Sequence, residues 1–93
     1  SARDLSAADL EALFRRTVAE SGARVVFTDL QAGSCTMAAR RVQRGQPDLL
    51  LVVGVNLPTL IDFVFADHMS PIDAARHALD RGRAAMVTIG DRT

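Results

Sequence analysis

The chain has 93 residues, 48% of them hydrophobic and 24% charged, and its eleven basic residues balance eleven acidic ones. That length allows a single domain, residues 1–93, burying a little over roughly 60% of its unfolded surface, and a zero net charge gives no field to draw nucleic acid or a membrane surface. Every basic residue is arginine, which excludes Schiff-base chemistry on lysine and a P-loop lysine, and the single cysteine excludes an internal disulfide.

No paired Cys and His ligands suggest zinc, so no metal and no cofactor are expected. The lone cysteine suits a reducing, cytoplasmic setting. The longest apolar run, residues 49–55, is far too short to cross a bilayer, and Asp4, Asp9 and Glu11 stand where a signal peptide would be basic and then apolar. A chain neither exported nor membrane-inserted is expected.

Along the chain, Ser6 followed by Asp9 reads as a capping signal, and Leu10, Leu13, Phe14 and Val18 recur at helical spacing until Gly22. Residues 25–28 form a short β-branched and aromatic run that suits a strand buried on both faces. The Gly33-Ser34 turn opens a second helix with Met37, Ala38 and Val42 inward; Arg40, Arg41 and Arg44 crowd its last turn, where the dipole favours cations, and Gly45 ends it. Residues 48–55 are the clearest buried strand. Gly54 to Pro58 turns that strand into a third helix, with Asn56 as cap and Pro58 near its first position. Leu57, Leu60, Ile61, Val64 and Phe65 cover one face of this helix, and spacing does not distinguish core from a dimer interface. Ser70-Pro71 caps a fourth helix that carries Ile72, Ala75 and Leu79 inward up to Gly82. Residues 86–89 are a candidate last strand.

Alternation of this kind implies an α/β fold with a parallel sheet and helices on its faces. Two parallel strands and one short terminal strand make a small sheet for such a fold, so a partner or upstream sequence is expected to supply the rest. The first strand ends in Asp29 and passes through a glycine turn into a helix start. At the carboxyl end of a parallel strand, Asp29 would face the crevice where open α/β sheets bind ligands, and backbone N–H groups around Ser34 would point at an anion. These features read as half of a phosphate-handling site.

Asp29, Gly33-Ser34 and the run Gly54-Val55-Asn56-Leu57-Pro58 are consecutive landmarks of one family. On them the chain resembles the mannose-type enzyme IIA components of the bacterial phosphoenolpyruvate-dependent sugar phosphotransferase system, from about Ser6 to the carboxyl end and including the Gly82-Arg83 pair. The resemblance implies a doubly wound parallel sheet with helices on both faces, completed by a carboxyl-terminal strand exchanged in a homodimer; residues 86–89 would be that strand, and the first two strands are missing. It also implies phosphoryl relay in bacterial sugar uptake, a transferase function, from the histidine-containing phosphocarrier protein to an enzyme IIB component. By resemblance Asp29 orients the acceptor histidine, Ser34 contacts the phosphoryl group, and Gly33 and Asn56 flank the site. The acceptor histidine itself, which precedes these landmarks in the family, is not in this sequence. Ala32 and Cys35 replace the family's usual glycine and proline, and Gln31 stands where a large residue is frequent.

Each residue also has a plainer reading. Asp favours strand-to-helix turns for local reasons, and Ser34 and Asn56 are explained as helix caps. His68 reads as a solvated loop residue and His77 as a surface residue on the outward side of the last long helix. Cys35 reads as a small, partly buried thiol, and the arginine cluster as a solvated helix end rather than a dock for an acidic partner. The alternative function is a non-catalytic regulatory or interaction module that keeps the fold without the acceptor.

Overall fold

The computed structural model describes residues 6–31 and 33–90; Asp4 and Ala32, both named above, lie outside the described residues. Among them are four α-helices and one two-stranded parallel sheet, a mixed α/β arrangement that divides into two compact units, one ending at Gly54 and the other beginning at Val55.

The first unit holds α1 (Ala7–Ser21), β1 (Val25–Phe27), α2 (Ser34–Gly45) and β2 (Leu50–Val52). Helix α1 starts where Ser6 Oγ accepts the Asp9 N–H at 3.1 Å, and it stops at Gly22, whose φ of 68° suits a left-handed cap and whose N–H donates to Val18 O. Leu10 and Val18 are its buried residues. Val18, Val42 and Leu49 form the core, with Phe14 and Val26 packed against it, so α1, α2 and the strand pair meet at one apolar cluster.

β1 and β2 pair in parallel with Val26 opposite Leu51, and α2 is the crossover between them. The Leu50 N–H donates to Arg24 O and the Thr28 N–H to Val52 O, each at 2.9 Å. Both strands are shorter than the apolar runs that announce them, because a strand extends only as far as it has a partner. β1 is half-buried throughout and only Val52 of β2 is buried; the expectation of strands buried on both faces is not met within this unit. On α2 the buried residues are Thr36, Ala38, Ala39 and Val42, while Met37, expected inside, is exposed. The helix is turned so that Thr36 faces inward, and its hydroxyl donates to Leu30 O across the β1–α2 connection.

The second unit is the pair α3 (Leu57–Phe65) and α4 (Pro71–Ala84). Ser70 Oγ accepts the Asp73 N–H to start α4, whose buried residues are Ala74, Ala75, Ala78 and Gly82. A helix with so small-sided a face lets its neighbour approach closely, and α3 meets it through Thr59, the only buried residue of that helix. Of the apolar stripe, for which spacing left core and interface open, Leu57, Ile61, Val64 and Phe65 are 49% to 77% exposed and Leu60 is half-buried. Ile72 and Leu79, expected inside, are half-buried at the edges of the small-residue face. Residues 86–89 form no strand among the described residues, and Met86, Val87 and Ile89 are exposed.

Candidate functional site

The β1–α2 connection gathers three of the four residues that sequence singles out. Asp29 follows β1 at a bend and is exposed, and its carboxylate makes no hydrogen bond or ion pair among the described residues. Ser34 is the first residue of α2 and not its cap. The cap is Gly33, with φ −72° and ψ 160° and no side chain to offer, so the expectation of Ser34 as an ordinary helix cap is corrected. The first α2 bond to the cap is from the Met37 N–H to Gly33 O. The N–H groups of Ser34, Cys35 and Thr36 are thus left without intrahelical acceptors at the positive end of the helix dipole. Cys35 is exposed rather than partly buried: as the second residue of α2 it precedes Thr36, which takes the inward position.

Beneath this turn lies Thr28, only 7% exposed, whose hydroxyl has no hydrogen-bond partner among the described residues. Val26 and Thr28 share one face of the strand, and Val26 packs on the cluster that includes Val42 of α2, so Thr28 lies on the α2 side of the sheet. An orphan hydroxyl in such a place costs about 1–3 kcal/mol.

Asn56, the fourth residue, belongs to the second unit, and both ends of its amide make hydrogen bonds there. Oδ1 accepts from the Thr59 N–H at 3.1 Å and from the Thr59 hydroxyl at 2.6 Å, and Nδ2 donates to Gly82 O at 2.8 Å. One side chain thereby caps the amino end of α3 and satisfies a last-turn carbonyl of α4. Gly82 is required by the same contact. A Cβ there would collide with Thr59 Oγ1 and lie 2.8 Å from Asn56 Oδ1. Asn56 and Gly82, two landmarks of the sequence reading, are thus bound together as a clamp, which occupies both Oδ1 and one of the two N–H donors of Asn56 Nδ2.

The histidines differ from one another. His68 sits in the α3–α4 connection, exposed, with Nδ1 4.0 Å from the exposed carboxylate of Asp67. His77 on α4 has Nδ1 2.8 Å from Asp62 Oδ2 on α3, and the other oxygen of Asp62 lies 3.9 Å from Arg81 Nε. Sequence reasoning places His77 on the surface, which is right as to exposure, but misses this pairing because the partners are fifteen residues apart and meet only once the helices pack. Among the described residues no group of His, Cys, Asp and Glu is arranged to hold a metal ion, and no helix is long and apolar enough to cross a membrane. No protein-family model matches this sequence, and no curated protein matches it.

Proposed function

We propose that this chain is part of a phosphocarrier of the mannose-type enzyme IIA class, relaying a phosphoryl group from the histidine-containing phosphocarrier protein to an enzyme IIB component. The observation that carries the reading is an exposed Asp29 carboxylate with no hydrogen bond or ion pair among the described residues, set before a helix start that no side chain caps. Asp29 is free to accept the N–H of an imidazole supplied from outside these 93 residues, fixing its tautomer so that the other nitrogen attacks phosphorus. The open N–H groups of α2 and the Ser34 hydroxyl then meet the phosphoryl oxygens. The demand on the protein is in-line positioning and charge stabilisation.

In this reading β1 and β2 are the later strands of a doubly wound parallel sheet, and residues 86–89 are the strand exchanged in a homodimer. An exposed apolar segment with no pairing of its own supports that placement. The chain alone is expected to associate or aggregate; a stable monomer by light scattering counts against it.

The deciding experiment is intact mass after incubation with phosphoenolpyruvate, enzyme I and the histidine-containing phosphocarrier protein, for this chain and for one extended by its upstream coding sequence. An adduct gained by the extension, lost when Asp29 is changed to Asn, is the expected result. A second reading, a non-catalytic interaction module, is favoured by the outward apolar stripe of α3. It takes first place if the extension brings no adduct.

A further inference from the structure

The geometry points to His77 as a phosphoryl-acceptor side chain in its own right, reactive toward donors with a phosphorus–nitrogen bond. This goes beyond the relay proposed above and does not rest on it, since Asp29 and α2 take no part.

The ring is oriented by a carboxylate on a different helix. An ionised carboxylate only accepts hydrogen bonds, so the 2.8 Å contact between His77 Nδ1 and Asp62 Oδ2 makes Nδ1 the donor and leaves the lone pair on Nε2. The His77 side chain is half exposed, and Nδ1 is the nitrogen turned to Asp62. Arg81 Nε lies 3.9 Å from the second oxygen of Asp62, near enough for charge attraction but beyond hydrogen-bond distance. His77 and Arg81 are four residues apart on α4 and so share a face, which places a guanidinium where incoming phosphoryl oxygens need a cation. The Asn56–Gly82 clamp keeps α3 and α4 in register, so the pair sits on two fixed elements rather than on a loop. Beside it runs a groove of about 540 Å³ that shares Asp62 and Arg81 with the pair and has Pro58, Ile61 and Phe65 among its walls. The groove can seat the body of a donor.

In the reaction, Nε2 attacks phosphorus as the donor's phosphorus–nitrogen bond breaks. The donor's nitrogen, already protonated before the bond breaks, departs with the bonding electron pair as a neutral amine, and nothing is oxidised or reduced. The ring gains positive charge while Nδ1–H still donates to Asp62, whose carboxylate balances that charge. His68 has no such partner, because its neighbouring carboxylate is 4.0 Å away and both groups are highly exposed. It is an internal standard within the same molecule.

The test is incubation of the chain with phosphoramidate, followed by peptide mapping at alkaline pH and phosphorus NMR to identify the nitrogen modified. His77 is expected to label about tenfold or more faster than His68, at Nε2, with Asp62→Asn removing most of the advantage and His68→Asn leaving it intact. Equal rates at the two histidines in the unmodified chain, a result that needs no variant, overturn the proposal. Modification at Nδ1, or wild-type labelling of His77 in a folded Asp62→Asn variant, does the same. The relay experiment fails or succeeds separately, since its expected adduct requires the upstream extension and Asp29.

Discussion

The starts of α2 and α3 follow the same local recipe and reach opposite ends. Each comes after a short parallel strand and a glycine-containing turn. At α3 the cap residue is Asn56, whose amide closes the first turn and ties it to the last turn of α4. At α2 the cap is Gly33, the first-turn N–H groups have no intrahelical acceptors, an exposed Asp29 lies before them, and the buried Thr28 hydroxyl has no partner among the described residues. The contrast separates two uses of one motif: a helix start sealed by side chains holds the fold, and one left unsealed has its dipole available for an anion.

That contrast can be broken most severely at Gly82. Alanine in a helix normally stabilises by about 1 kcal/mol over glycine, but Gly82→Ala is expected to destabilise by about 3 kcal/mol through collision with Thr59. Urea denaturation measures it, and a stabilised variant would refute the clamp. Next comes the cap. Asn56→Ala is expected to cost about 2 kcal/mol and Asn56→Asp about 1 kcal/mol, because aspartate still accepts from Thr59 but has no donor for Gly82 O. Thermal unfolding of the two variants side by side reads the difference. At the open end Thr28→Val removes the orphan hydroxyl at nearly constant volume, and a gain of up to about 1 kcal/mol is expected; a clear loss would mean that the hydroxyl has a partner in solution. The smallest effect is at Gly33, where serine adds a cap in a backbone conformation that already suits one. Gly33→Ser should stabilise by a few tenths of a kcal/mol, about 0.3, and should weaken the protection that inorganic phosphate gives to thermal unfolding. An unchanged phosphate effect would detach anion binding from the α2 start.

What could be read from sequence follows the range of the interactions. Ser6, Gly22, Asn56 and Ser70 mark helix ends through bonds to residues within four positions, Pro71 takes the first position of α4, and α1, α3 and α4 stand where those signals put them. Strand lengths were less legible, since residues 48–55 supply apolar character over eight positions but only Leu50–Val52 find partners. Periodicity located the apolar stripe of α3 without saying what covers it, and α4 meets that helix through Thr59 instead. Met37, expected inside, is exposed and Thr36 is buried; the hydroxyl of Thr36 donates to Leu30 O, a local bond that lets a polar residue take an inward position of a short helix. Of the site, Asp29 and Gly33 were placed by the strand-to-helix turn. The consumption of Asn56 and the pairing of His77 with Asp62 depend on contacts between helices that no spacing rule encodes.

The close approach at Gly82 has a consequence for inheritance. A Cβ at position 82 would fall in the volume of Thr59, so position 82 cannot vary alone: a side chain there becomes acceptable only after position 59 has shrunk. Alanine at 82 that is harmful beside threonine should be less harmful beside Thr59→Ala or Thr59→Gly, with a coupling smaller than the single effect at 82 because the added Cβ still lies 2.8 Å from Asn56 Oδ1. Descendants of this sequence can therefore leave the glycine only by a path that passes first through residue 59.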